Sequence, residues 1–111
     1  MNRLLAAALI SIASAAAGCS AIVGDSCTTQ TDCGSAMYCE LSLPDGYCTL
    51  KDCVYHSCPD SGVCVRFTED TSYCMLQCKS NADCRGGYRC VTDFGLYPFC
   101  NDSGGETPVN P

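Results

Sequence analysis

Twelve cysteines between Cys27 and Cys100 fall into three groups of four with nearly equal spacing. They are Cys27, Cys33, Cys39, Cys48; then Cys53, Cys58, Cys64, Cys74; then Cys78, Cys84, Cys90, Cys100. Each group reads C-x4/5-C-x5-C-x8/9-C, and only four and then three residues separate one group from the next, which leaves no room for a flexible linker. Self-similarity at a period near 25 residues marks tandem supersecondary units. Other matches accompany the spacing: Asp32-Cys33 corresponds to Asp83-Cys84, and an aromatic residue precedes each closing cysteine in Tyr47-Cys48, Tyr73-Cys74 and Phe99-Cys100. The second unit departs at Ser57-Cys58-Pro59.

Between the third and fourth cysteine of each unit the chain reads as an extended run followed by a turn. The runs are Glu40-Leu41-Ser42-Leu43, Val65-Arg66-Phe67 and Val91-Thr92-Asp93-Phe94; the turns are Pro44-Asp45-Gly46, Thr68 to Ser72, and Phe94-Gly95. Pro-Asp-Gly is a specific turn signal because Pro presets its own φ and Gly accepts positive φ. Each unit is therefore expected to be a small β-hairpin stapled at its base. The polar, glycine-bearing stretches Gly34-Ser35, Asp60-Ser61-Gly62 and Arg85-Gly86-Gly87 read as loops, and no segment after Cys19 keeps apolar residues at helical spacing beyond one turn. The expected fold class is small, disulfide-rich, mostly β-hairpins and loops, with three tandem four-cysteine repeats and little helix. Pairing does not follow from spacing, since four cysteines allow three connectivities within a repeat. First-with-third and second-with-fourth is favoured because interlaced bridges hold a hairpin to its preceding loop, and the short gaps after Cys48 and Cys74 leave bridges between repeats open.

Cross-links are also what the composition requires. From Cys19 onward, Leu, Ile, Val, Phe and Met number 17 in 93 residues, too few for a large core. Disulfides at roughly 2 to 4 kcal/mol each substitute for it. The apolar share lies at the other end of the chain. Asn2 and Arg3 precede the apolar stretch Leu4 to Ile12 and the small residues Ser14 to Gly18, the layout of a secretory signal peptide. That stretch is shorter than the roughly 20 residues a bilayer span needs. Export makes disulfides permissible, so a disulfide framework is expected in place of a cytosolic thiol or zinc cluster.

Ala16-Ala17-Gly18-Cys19 resembles the lipobox of bacterial lipoproteins, in which small residues precede a cysteine that is acylated and becomes residue one. The resemblance implies a membrane-lipid anchor on Cys19, and Ser20 after it implies sorting to the outer membrane. Parity agrees: the chain has 13 cysteines, and setting Cys19 aside leaves twelve that can all pair. Ala15-Ala16-Ala17 also fits ordinary cleavage near Ala17, which would release a soluble secreted protein. The spacing Cys27-x5-Cys33-x5-Cys39, repeated from Cys78 to Cys90, is loosely similar to Dickkopf and whey-acidic-protein modules, with an Asp near the second cysteine. It is more similar to short cysteine-rich repeat lipoproteins of predatory and social bacteria. These resemblances imply architecture and address and no particular activity.

The expected organisation is a signal peptide at 1–18, a lipid-anchored tether at 19–26, cysteine repeats at 27–52, 53–77 and 78–100, and a disordered tail at 101–111 that carries Gly104, Gly105, Pro108 and Pro111. After Cys19 only Lys51, Arg66, Lys79, Arg85 and Arg89 face twelve acids, which argues against nucleic acid as a partner. His56, the single histidine, forms Cys53-x2-His56, half of a metal pattern at best, and a surface loop residue is the ordinary reading. Neither Cys-x-x-Cys nor a G-x-S-x-G elbow occurs, and Glu69-Asp70 falls in an expected turn. No cofactor, metal or catalytic residue is expected. Tyr47, Tyr73 and Phe99 are expected to cover the disulfides as a miniature core, leaving Tyr55, Tyr88 and Tyr97 for exposure. Arg85, Tyr88 and Arg89 form the one local basic and aromatic cluster, a candidate contact for an unknown protein partner. The function expected is a non-enzymatic exported lipoprotein presenting a rigid module for structural or adhesive interactions at the cell envelope. The alternative is a soluble secreted effector or inhibitor-like binding protein.

Overall fold

The computed structural model describes residues 21–59 and 61–104. The signal segment, Cys19 and most of the tail lie outside the described residues. All twelve cysteines of the repeats are paired, each repeat in the same interlaced way: Cys27–Cys39 with Cys33–Cys48, Cys53–Cys64 with Cys58–Cys74, and Cys78–Cys90 with Cys84–Cys100. The connectivity is thus first-with-third and second-with-fourth, and no bridge joins two repeats.

Three two-stranded antiparallel hairpins follow from this stapling. They are β1 (Tyr38–Cys39) with β2 (Cys48–Thr49), β3 (Gly62–Thr68) with β4 (Thr71–Leu76), and β5 (Tyr88–Val91) with β6 (Phe99–Asp102). The third and fourth cysteines face each other in every register: Cys39 opposite Cys48, Cys64 opposite Cys74, Cys90 opposite Cys100. Each is bonded instead to a cysteine of the preceding loop, so the two bridges pin that loop onto the hairpin. There is no α-helix among the described residues, only 3-10 turns at Gln30–Cys33 and Asn81–Asp83.

Those turns explain the recurrent aspartates. Asp32 Oδ2 accepts hydrogen bonds from the backbone N–H groups of Thr28 (2.9 Å) and Thr29 (3.0 Å), and Asp83 Oδ2 accepts from those of Lys79 (2.7 Å) and Ser80 (3.1 Å). Ser57 holds the equivalent place in the second repeat. Its Oγ accepts from the Val54 N–H at 2.9 Å, one backbone donor instead of two. The loops expected here are therefore organised turns, set by short polar side chains that cap the backbone three and four residues back.

The hairpins differ from expectation in length. The run Glu40 to Leu43 is a turn, because the Glu40 carboxylate accepts from the Ser42 N–H and hydroxyl and curls the chain back on itself. In the third repeat the strand stops at Val91, and residues 92–98 form a long loop. The second repeat has the longest ladder, closed by the two residues Glu69-Asp70 between its strands. β6 continues past Cys100 to Asp102, pairing with Tyr88 and Arg89, so the structured part of the chain reaches beyond the expected start of the tail.

The linkers are structural. Leu50 O accepts the Cys74 N–H, the Asp52 N–H donates to Ser72 O, and Lys51 bridges Tyr73, so the first linker lies along β4. The second linker repeats the arrangement on β6, where Gln77 bridges Phe99 and the Cys78 N–H donates to Pro98 O. The segment expected to be a tether does the same for the first repeat: the Gly24 N–H donates to Cys48 O and the Cys48 N–H to Asp25 O, both at 2.9 Å, with Val23 fully buried. The fold therefore begins ahead of Cys27.

Tyr47 is where the three units meet. It is 1 % exposed, its hydroxyl accepts the Leu76 N–H at 2.8 Å, and its ring lies 5.3 Å from that of Tyr88. Burial holds its phenol well above the usual range, so the hydroxyl stays neutral. Buried Thr49 joins the first two repeats through an Oγ1 bond to Cys74 O at 2.7 Å. Phe67, Tyr73, Phe94 and Phe99 form an edge-to-face chain between the second and third, with centroids 6.0 to 6.3 Å apart. Tyr47 and Phe99 are buried as expected for a miniature core, while Tyr73 is half-buried.

Two outcomes are expected. The backbone bonds to Asp32 and Asp83 hold both carboxyls below the ordinary value of 3.8. A carboxyl depressed in the folded state stabilises the fold above its unfolded pKa and loses that contribution as pH falls through the folded value. The thermal unfolding midpoint should fall below about pH 4, and an Asp32→Asn, Asp83→Asn double variant should start lower at neutral pH and show a flatter acid limb. Arg85 donates to the carbonyls of Gly24 (2.9 Å), Pro44 (3.1 Å) and Gly46, with its guanidinium 4.5 Å from the Tyr88 ring centroid. Arg85→Met keeps the stem and strands those carbonyls. It should cost about 2 to 4 kcal/mol in denaturant unfolding of the oxidised protein.

Candidate functional site

The sequence-derived contact cluster faces largely inward. Arg85 is half-buried and spends its guanidinium on three carbonyls of the first repeat and the segment before it. Tyr88, expected at the surface, is buried: its ring packs at a tilt against Tyr47 and its hydroxyl donates to Pro44 O at 2.8 Å. Arg89 is partly exposed on β5. Arg85 and Tyr88 do come together, and what they grip is another part of this chain.

The surface features that remain gather elsewhere. Among the described residues the exposed large apolar side chains include Val54 (67 %), Tyr55 (56 %), Leu96 (73 %) and Tyr97. These four line one cleft of about 580 Å³ between the second and third repeats. Its remaining wall comes from the consecutive β3 residues Val63 to Arg66, together with Phe94 and Phe99, and Asp52, Glu69 and Asp70 supply its carboxylates. Tyr55 and Tyr97 approach each other from opposite walls, and interaction with the Tyr97 hydroxyl pushes the Tyr55 phenol above its usual range.

A smaller recess of about 260 Å³ continues past these tyrosines along Gly62, Val63 and Cys64. His56 stands there, its ring against that of Tyr55 at a tilt of 51° with centroids 3.7 Å apart, at a positive φ of 68° in the turn closed by the Ser57 N–H on Val54 O. Among the described residues no carboxylate lines this recess with it. The groups of metal-ligand type that cluster among the described residues are sets of cysteines, and every sulfur in them is already in a disulfide. A disulfide sulfur is not the thiolate that zinc binding requires.

Sequence reasoning identified Tyr55 and Tyr97 as exposed and missed Val54, Leu96 and the β3 edge. A signal was present. Counted back from the second cysteine, Val54 and Tyr55 stand where the other repeats have Thr29 and Gln30 or Ser80 and Asn81. Those polar residues have structural work: Gln30 exchanges two hydrogen bonds with the Cys39 backbone, and Asn81 accepts the Cys90 N–H. Tyr55 cannot replace a side-chain amide in that role. Its ring is left for the surface. No protein-family model, curated protein or solved structure matches the chain.

The Tyr97 hydroxyl is the largest cause of the upward Tyr55 shift, with desolvation second. A Tyr97→Phe variant should bring the Tyr55 titration down toward an unperturbed phenol, as followed by ultraviolet absorbance between about pH 9 and 12, with the hairpin amide spectrum unchanged.

Proposed function

We propose that the chain is an exported, non-enzymatic lipoprotein, held to the membrane through an acylated Cys19, that presents its disulfide-stapled body for structural or adhesive contacts at the cell envelope. The observation that carries this reading is the complete pairing of the twelve repeat cysteines among themselves. Cys19 then has no cysteine of its own chain to join, and it sits directly behind the small residues Ala16, Ala17 and Gly18 that a lipoprotein-type cleavage uses. Six disulfides in one small body suit an oxidising compartment. A thioether diacylglycerol supplies two chains, enough for durable attachment where one would be marginal.

The start of the fold supports a surface-hugging geometry. Val23 is buried and Gly24 is hydrogen-bonded into the first repeat, so only Ser20 to Ile22 separate the lipid from the body. Three residues span at most about 10 Å. The module is accordingly held against the bilayer surface, with Ser20 permissive for the outer membrane.

Intact mass spectrometry of the mature protein tests the reading. A diacylglycerol-bearing N-terminus at Cys19, lost together with membrane retention in Cys19→Ser, is the expected result. An unmodified N-terminus at Gly18 or Cys19 overturns it in favour of a soluble secreted effector or inhibitor-like protein.

A further inference from the structure

Among the described residues strand β3 pairs with β4 on one side only, whereas β4 also carries the Lys51 bridge on its far side. The register shows which β3 backbone groups face outward. In an antiparallel ladder a residue sends its N–H and C=O to the same side, and the side alternates along the strand. Cys74 donates its N–H to Leu50 O, away from β3, so its register partner Cys64 points both groups away from β4. Ser72 accepts from the Asp52 N–H on that same far side, so its partner Arg66 also faces outward. Among the described residues these N–H and C=O groups of Cys64 and Arg66 have no hydrogen-bond partner. Both residues line the 580 Å³ cleft, and the smaller recess continues along the same strand from Gly62 to Cys64.

We propose that the outer edge of β3 is a strand-addition site for an extended segment of another protein whose side chains alternate between basic and apolar. An open sheet edge supplies main-chain hydrogen bonds to such a segment, and flanking pockets choose its side chains. Here one kind of wall is apolar, from Val54, Tyr55, Leu96 and Tyr97, and the carboxylates of Asp52, Glu69 and Asp70 outnumber the one cleft cation, Arg66. That balance selects a basic partner. It disfavours a second copy of this chain, which carries a formal charge of −6, and the chain's own C-terminal residues, which contain acids and no Lys or Arg. The site goes beyond the envelope reading and does not depend on acylation of Cys19.

The test uses the oxidised, isotope-labelled protein and a capped hexapeptide of alternating lysine and valine. Binding should slow amide hydrogen exchange at Cys64 and Arg66 by about tenfold or more at saturation. A glutamate–valine peptide of the same length should not bind. Two further lysine–valine peptides, N-methylated at the lysines or at the valines, remove the donors of one edge each, and one of them should lose about tenfold in affinity. Glu69→Lys with Asp70→Lys, both exposed in the β3–β4 turn, should weaken binding about tenfold with an unchanged hairpin spectrum. Four results would each overturn the proposal: no binding at about 1 mM peptide, unchanged exchange at Cys64 and Arg66 under saturation, both N-methylated peptides matching the parent, or the glutamate peptide binding as well as the lysine peptide.

Discussion

Interlaced disulfides are the constraint on which the rest of the structure depends. Each repeat closes rings of 11 to 16 residues, and because one ring starts inside the other, the loop and the hairpin cannot separate without breaking a bridge. By a chain-entropy estimate, loops of this size are worth about 3 kcal/mol apiece, which compensates for hairpins too short to persist alone in water. With both ends of each repeat anchored, a linker of three or four residues has nowhere to wander. It lies along the last strand of the next hairpin, where its backbone groups find partners. Gly24 and Asp25 follow the same rule ahead of the first repeat, although no cysteine announces it.

Stapling makes three rigid units, and Tyr47 with Arg85 joins them. A core poor in aliphatic side chains cannot weld the units by apolar burial alone, so the junction uses a buried phenol, a tilted aromatic pair and a guanidinium satisfied by three carbonyls. Gly46 belongs to this junction. At a φ of 71°, a Cβ there would lie 2.0 Å from Cys27 O, so the Pro-Asp-Gly turn serves close approach as well as chain reversal. Within that turn the positive φ begins at Asp45, which sits at the third position under the Gly46 N–H bond to Leu43 O.

The second repeat follows the rule less strictly, and the surface opens there. Ser57 accepts from one backbone N–H where Asp32 and Asp83 each accept from two, and Val54 and Tyr55 replace polar residues that bind backbone in the other repeats. Their apolar side chains face outward, opposite Leu96 and Tyr97 of a loop that is long because its strand ended at Val91. Between them runs β3, the longest strand among the described residues and one whose outer edge none of them pairs. Relaxed capping, an extended ladder and an apolar loop thus converge on a single cleft.

Repeat number was legible in the cysteine spacing, and the hairpins and the lack of α-helix among the described residues were legible in turn signals and missing helical periodicity; spacing left three pairings per repeat open, and the interlaced one, favoured for how it holds hairpin to loop, was decided by the structure. The aspartate before the second cysteine was legible as a pattern, while its capping role appeared only with the backbone it binds. Other features lay beyond reading in one dimension. Arg85 and Tyr88 lie 39 to 61 residues from the carbonyls they grip, and how far each is covered depends on how the first and third hairpins dock. The cleft likewise joins residues 52–55, β3 and the 94–97 loop, which meet only because each linker is laid along the following hairpin. Cysteine spacing limits which covalent bonds of fixed reach can form, and so the sequence determined the number, bounds and hairpin character of the units. The placement of units, and with it which aromatics and which strand edge face a partner, depended on non-covalent packing between distant segments, and the tertiary structure alone decided it.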